Sequence, residues 1–118
     1  SEVYTMIRKK QKHYKYDEDV ALLELKAYID ATYDQHYSRN KFQATEFIID
    51  SGHGEGFCIG NIMKYAQRYG KKGSKIDARK DLYKVLHYGI MALHINNLEN
   101  DDEPKWTNNF CFKKLCND

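Results

Sequence analysis

The stretch from Ile76 to Leu98 most strongly constrains the fold, because its apolar residues repeat with the period of an α-helix. The repeat is formed by Leu82, Val85, Leu86, Gly89, Ile90 and Leu93. These positions follow the spacing i, i+3, i+4, i+7, i+8 and i+11, which gives a wide apolar stripe. Ser74 and Asp77 resemble a capping box at the start of this segment. We therefore predict a long helix of about 23 residues, roughly 35 Å in length.

Three shorter helices are predicted before it. They run from about Asp17 to Tyr33, from roughly Lys41 to Asp50 and from about Phe57 to Tyr69. Gly70 follows the third helix, as expected where a helix ends in a left-handed glycine. The glycine-rich stretch 52–56 is predicted to be a flexible connector. No alternating run is long enough to indicate a sheet, so the predicted fold class is all-α, a small helical domain of about four helices.

The third and fourth helices are separated by only about six residues. A connection this short favours a central antiparallel helical hairpin. The hairpin would bring the cations at the end of the third helix close to those at the start of the fourth.

The chain length of 118 residues indicates one domain. We divide it into a basic N-terminal arm at 1–16, a helical domain at 17–99 and a tail at 100–118. The tail contains Trp106, Phe110 and Phe112, so we expect it to dock on the body or on a partner subunit. The many tyrosines and this tail leave apolar surface to cover, which favours a homo-oligomer.

Composition excludes several classes of protein. No apolar run approaches the ~18 residues of a membrane span, so no membrane partner is expected. The net charge of +2 is too small for a general nucleic-acid coat. The three cysteines have no zinc-like spacing and are interpreted as reduced thiols of a cytosolic protein.

Positive charge is concentrated in the middle of the chain. Residues 61–84 contain eight cations against two acids, a local charge of +6. Asn61, Lys64 and Arg68 fall at i, i+3 and i+7, along one stripe of the third helix. Amide, ammonium and guanidinium groups beside a glycine-flanked turn suit a phosphate-bearing ligand. The predicted ligand-binding residues are Asn61, Lys64, Tyr65, Arg68, Lys71, Lys72, Lys75 and Arg79.

Two of the expected roles have structural alternatives. Asn61 either forms hydrogen bonds that brace the neighbouring connector or recognises a ligand. Four tyrosines near the basic hairpin either stack on a nucleobase or lie at the edge of the core with the hydroxyl in contact with water. They are Tyr65, Tyr69, Tyr83 and Tyr88. The turn at Gly70–Lys75 is not a Walker loop, because a helix rather than a strand precedes it. No catalytic residue is assigned, and no protein metal site is predicted.

The order of the motifs resembles a family of small bacteriophage proteins. The resemblance rests on His36-Tyr37, Ala44–Ile48, the string Gly60-Asn61-Ile62-Met63-Lys64-Tyr65, then Arg68, Gly70-Lys71-Lys72, Asp81-Leu82, Lys84 and Tyr88. It covers about residues 36–91 and matches the family pattern GNxxKYxxRxGKK. A longer podophage member is a nucleotide kinase that acts on deoxynucleoside monophosphates without a Walker loop. The resemblance therefore implies a phage-encoded nucleotide-binding protein, with Mg²⁺ as a helper if it is a kinase.

Two alternatives stay open beside a kinase-like activity in the host cell cytoplasm. One is a non-enzymatic sponge that sequesters a nucleotide, such as a host defence signal, since acid–base candidates are scarce. The other is a DNA- or RNA-binding accessory protein, which would use the basic hairpin and the cations of Arg8–Lys15.

Overall fold

The computed structural model describes Glu2 and residues 13–35, 38–71 and 73–99. Within these ranges the chain forms helices joined by turns and contains no strand, so the all-α prediction is confirmed. The four main helices are α1 (Glu18–Tyr33), α2 (Ser38–Ile48), α3 (Gly54–Arg68) and α4 (Lys75–Glu99). Lys72, the tail at 100–118 and most of the basic arm at 1–16 lie outside the described residues.

The prediction of a flexible connector at 52–56 is wrong. A five-residue kinked turn, Ile49–His53, joins α2 to α3, and Gly54 already belongs to α3. Gly52 leaves the helical region with φ 86° and ψ 10°, and His53 after it has φ −107° and ψ 11°. A single left-handed residue, which glycine adopts without steric cost, is therefore enough to change the direction of the chain. The glycines that follow continue the helix instead of loosening it.

Helices α3 and α4 form the most extensive contact between elements of the described chain. The start of α3 meets the end of α4, because Gly54 lies against Ile95. One turn further on, the Phe57 and Tyr88 rings meet edge to face with centroids 5.8 Å apart. At the end of α3, Arg68 faces Asp81 near the start of α4. The contacts run in opposite order along the two helices, so α3 and α4 are antiparallel.

Helices α1 and α2 cover one side of this pair. The Tyr28 ring of α1 stacks on Tyr83 of α4 at 5.1 Å. The guanidinium of Arg79 pairs with the carboxylate of Glu24, which also accepts a hydrogen bond of 2.9 Å from the Tyr83 hydroxyl. The ring of Tyr33 stacks on Phe42 at 4.4 Å and ties α1 to α2.

The interior of this arrangement is small. Among the described apolar residues, the buried ones are Leu25, Cys58 and Ile95. The apolar stripe of α4 faces solvent, since Leu82 and Leu93 keep 45% and 61% of their surface exposed. The apolar residues of α4 do share one face of the helix, as their periodicity predicts, but α4 packs on α3 through a different face. No described helix combines the length and apolarity that crossing a bilayer requires.

We expect Gly54→Ala to lower the free energy of unfolding by about 1 kcal/mol. A Cβ at Gly54 would lie 2.8 Å from Ile95 Cδ1 and 3.0 Å from Ile49 Cγ1. Overpacking of this kind costs about 1–3 kcal/mol, against roughly 1 kcal/mol gained from helix propensity. Urea unfolding followed by circular dichroism measures the change.

Gly56→Ala is the matched control, because a Cβ there meets nothing within 4 Å. It should raise the free energy of unfolding by about 0.5–1 kcal/mol through helix propensity alone. Equal shifts in the two variants would contradict the close approach of α3 and α4 at Gly54.

Candidate functional site

A hollow with charged walls lies where α3 ends and α4 begins. It has a volume of about 260 Å³ and is lined by Arg68, Gly73, Asp77, Lys80, Asp81 and Lys84. We call it the charged hollow. Arg68 comes from the last turn of α3, whereas the other charged groups project from the first three turns of α4. The antiparallel pairing of the two helices therefore creates the hollow.

One of the two acids in the charged hollow has a structural role. The Ser74 backbone N–H donates a hydrogen bond of 2.9 Å to Asp77 Oδ2, and the Ser74 hydroxyl lies 3.2 Å from the same oxygen. The backbone N–H of Asp77 points back to Ser74 Oγ at 3.4 Å. This reciprocal pair is the predicted capping box, with aspartate in the place of the more usual glutamate. The hydrogen bonds from Ser74 lower the pKa of Asp77, with Lys80 and Arg68 adding a smaller contribution.

The glycine before the cap cannot carry a side chain. Gly73 has φ 74°, and a Cβ on it would overlap the carboxylate of Asp77. The carboxylate of Asp77 therefore packs directly against the Gly73 backbone at the edge of the charged hollow.

The second acid, Asp81, is nearly buried at the back of the charged hollow. Its side chain is 7% exposed, and the nearest cationic atom of the described residues is Arg68 Nε at 3.9 Å. This distance allows Coulomb attraction but is too long for a hydrogen bond. The Asp81 carboxylate therefore keeps acceptor capacity directed into a hollow whose other walls are largely cationic.

Tyr65 lies between two lysines beside the charged hollow. The ring centroid is 4.5 Å from Lys64 Nζ and 4.9 Å from Lys84 Nζ, within the range of cation–π attraction. The Tyr88 ring lies 6.0 Å away in nearly parallel orientation. Because these groups already contact the ring, base stacking on Tyr65 would require one of them to move. In this arrangement Tyr65 holds the two ammonium groups in place.

An aromatic groove adjoins the charged hollow, and Lys84 lines both. Its walls include Tyr28, Phe42, Thr45, Tyr65 and Tyr88. Its accessible volume of about 30 Å³ holds about two water molecules, so a nucleobase does not fit inside it as it stands. Burial, together with Lys41, lowers the pKa of His87, another residue of the groove, so this imidazole is neutral at pH 7.

The structure brings together only part of the predicted site. Arg68 lines the charged hollow, and Lys64 and Tyr65 lie beside it through their contacts with Lys84. Asn61 donates a hydrogen bond of 2.8 Å to the Phe57 carbonyl of its own helix. It therefore does not brace the turn at residues 49–53.

Three further predicted residues, Lys71, Lys75 and Arg79, lie outside the walls of the charged hollow. Lys71 and Lys75 are exposed at the turn between the helices. Arg79 points towards α1, where it pairs with Glu24 and lies 5.3 Å from the centre of the Tyr83 ring. Lys72 lies outside the described residues.

Four charged residues that line the charged hollow were not among the predicted ligand-binding residues, namely Asp77, Lys80, Asp81 and Lys84. Their positions carried a signal, because 77, 80, 81 and 84 share one helical face. No group of three or more His, Cys, Asp or Glu within the described ranges could hold a metal ion.

Comparison with known proteins assigns this chain to a protein family. The model of the DUF3310 family, described as a protein of unknown function, matches residues 8–89. The Gene 1.7 protein of Enterobacteria phage T3 is 40% identical over 63 residues, which cover 50% of this chain and 39% of that relative. The chain thus spans about two fifths of the length of this curated relative. No solved structure matches the chain.

We expect the capping box to make stability depend on pH in the acid range. The pKa of Asp77 in the folded chain lies below its ordinary value of 3.8. Its contribution is therefore complete above that value and is lost as the pH falls through the lower, folded pKa. Asp77→Asn keeps an acceptor oxygen but cannot titrate, so this component should vanish from its stability profile.

The measurement is the urea midpoint of the wild type and of Asp77→Asn over a series of acid pH values. Ser74→Ala, which removes one donor but keeps the backbone N–H, should show an intermediate dependence. Parallel profiles for the wild type and Asp77→Asn would contradict the assigned role of the carboxylate.

Proposed function

We propose that this chain, which belongs to the DUF3310 family of proteins of unknown function, binds the phosphate groups of a nucleotide in the charged hollow. The proposal includes kinase-like phosphoryl transfer to deoxynucleoside monophosphates in the host cell cytoplasm. The observation that carries it is the convergence of Arg68, Lys80 and Lys84 on one hollow of about 260 Å³. The resemblance of the GN, KY, R and GKK elements to a podophage nucleotide kinase supports the same class of ligand.

The charge of the hollow suits a phosphate chain. Three cations and two carboxylates line it, and Asp77 is already engaged with the Ser74 backbone. Preorganised cations of this kind stabilise the charge on a transferring phosphoryl group, which needs little covalent chemistry from the protein. Tyr65 supports the arrangement by fixing Lys64 and Lys84 next to the hollow. Because the aromatic groove is narrow, we expect the nucleoside to rest at its mouth.

Mg²⁺ fits this proposal as a companion of the nucleotide. Such an ion is usually held by one or two carboxylates together with phosphate oxygens. Asp81 offers a nearly buried carboxylate inside the charged hollow, and no cationic atom in the described part of the chain is closer to it than Arg68 Nε at 3.9 Å. Asp81 would hold the ion, which neutralises charge on the phosphates when it is bound. The cations of the chain would position the phosphates around it.

A nucleotide sponge is the second candidate function. It is favoured by the engagement of Asp77 in the helix cap. Among the described residues that line the charged hollow, this leaves one further carboxylate, Asp81, which faces Arg68. Binding without turnover needs no general base. A sponge would use Arg68, Lys80 and Lys84 in the same way as a kinase but would release its ligand unchanged.

Lys80→Ala and Lys84→Ala should each weaken nucleotide binding about 10–100-fold. Each removes a charge-assisted contact to phosphate, which is worth about 1.5–3 kcal/mol. Isothermal titration calorimetry with a series of deoxynucleoside mono- and triphosphates measures the change. Lys26→Ala is the matched control, since Lys26 is exposed on α1 and pairs with Asp30.

Arg79→Ala sharpens the test of the site. Sequence reasoning included Arg79, whereas its guanidinium pairs with Glu24 away from the charged hollow. Its affinity should stay close to that of Lys26→Ala. If Lys80→Ala, Lys84→Ala, Lys26→Ala and Arg79→Ala all lowered the affinity for the nucleotide equally, the binding would reflect general attraction by positive charge. That result would contradict the charged hollow as the binding site.

Phosphoryl transfer is tested with a triphosphate donor, each deoxynucleoside monophosphate and Mg²⁺. The expected product is a deoxynucleoside diphosphate, formed more slowly by Lys80→Ala and by Asp81→Asn. Addition of a chelator should slow the reaction of the wild type if Asp81 works through the ion. Tight binding with full recovery of unchanged ligand would exclude the kinase and support the sponge.

A further inference from the structure

The α3–α4 pair has an apolar face on the side away from the charged hollow. On α4 it is formed by the predicted stripe, in which Leu82, Leu86 and Leu93 are all exposed. On α3, Ile59 and Met63 are exposed one turn apart, Met63 to 66%. An apolar surface of this extent is unusual for a chain that works alone.

Helix geometry places the two sets on the same side of the pair. Successive residues of an α-helix turn by about 100°, and the two helices run in opposite directions. Arg68 and Asp81 mark the line of contact, with Lys64 and Lys84 on the side covered by α1 and α2. On the opposite side of this contact line lie Met63 of α3 and Leu82 of α4. We call this surface the rear face.

The rear face lacks charge over most of its length. Residues 85–98 contain no Asp, Glu, Lys or Arg. Gly89 lies in the middle of the stripe, and a Cβ built on it would meet nothing within 4 Å. A neighbouring helix could therefore approach the backbone of α4 closely at this point.

We propose that the rear face binds the rear face of a second copy of this chain, with the two α4 helices antiparallel about a two-fold axis near Gly89. This inference is independent of the proposed nucleotide binding. A two-fold axis brings each patch against itself, so a face that is apolar over most of its length is complementary to its own copy.

Charge complementarity favours a second copy in this orientation. The first three turns of α4 carry an excess of positive charge, with Lys75, Arg79, Lys80 and Lys84 against Asp77 and Asp81, and α4 ends at Glu99. An antiparallel pairing places the Glu99 end of one copy beside the Lys75 end of the other. In the sequence, Glu99 also opens an acidic stretch that continues with Asp101 and Asp102. A parallel pairing would set like charges side by side.

The size of the rear face is also suitable. A stable interface buries about 800 Å² on each partner. The 25 residues of α4 extend over roughly 37 Å, and two helices side by side are roughly 20 Å wide. One helical stripe alone would be too narrow, whereas the two-helix face has the required order of size. Both charged hollows would face outwards in such a dimer and stay open to ligand.

The test is the mass of the full chain in solution, measured by light scattering after size exclusion. The wild type should have the mass of a dimer or of a multiple of it. Leu86→Asp and Met63→Asp should shift the protein to the mass of a monomer while keeping the helical circular dichroism spectrum. Leu23→Asp is the matched control, because Leu23 is 70% exposed on α1, away from the rear face.

Cross-linking covers the case in which an aspartate variant fails to fold. Leu86→Cys should join two chains through a short bismaleimide, well above the background of the wild type, whereas Leu23→Cys should not. A monomeric wild type at every concentration would overturn the proposal, as would association that Leu23→Asp removes and Leu86→Asp leaves intact. A Leu86→Cys thiol shielded from reagents in a monomer would also overturn it, since the chain itself would then cover the stripe.

Discussion

The close antiparallel packing of α3 on α4 is the interaction on which the rest of the structure depends. At one end the helices touch where Gly54 meets Ile95 without an intervening side chain. At the other end of the pair, Arg68 Nε lies 3.9 Å from Asp81 Oδ1. A bulkier residue at position 54 would push the helices apart and widen the angle between them. The charged hollow at the opposite end would change shape as a result.

The helices and their order along the chain were largely readable from the sequence, because helix formation is set by local signals. The apolar periodicity of residues 82–93, the capping pair Ser74 and Asp77, and the left-handed stop at Gly70 each depend on a few neighbouring residues. The kinked turn at residues 49–53 was not readable. Several glycines occur there, and only tertiary packing decides that Gly52 adopts positive φ while Gly54 enters a helix.

The sequence predicted the region of the candidate site but not which residues form it. The concentration of cations around residues 61–84 pointed to the end of the hairpin where the charged hollow lies. The choice of residues followed one stripe of α3, whereas the charged hollow is built mainly from α4, through Lys80, Asp81 and Lys84. Periodicity identifies residues that share a helical face, but it does not state which face meets the neighbouring helix. Arg79 illustrates the limit, since its direction is set by Glu24, which lies 55 positions earlier in the sequence.

The same limit explains the two faces of the α3–α4 pair. A helix that is apolar on more than one side has no unique way to pack within a single small domain, and α4 buries only Asp81 and Ile95 fully. Its contact with α3 uses the face that carries Tyr88 and Asp81, which leaves the leucine stripe uncovered. The charged residues gather where the covered side meets the turn, which is the place of the proposed ligand site. The uncharged stretch 85–98 contributes none of the described residues that line the charged hollow. The proposed association and the proposed ligand binding use opposite sides of the α3–α4 pair, so substitutions can change one without the other.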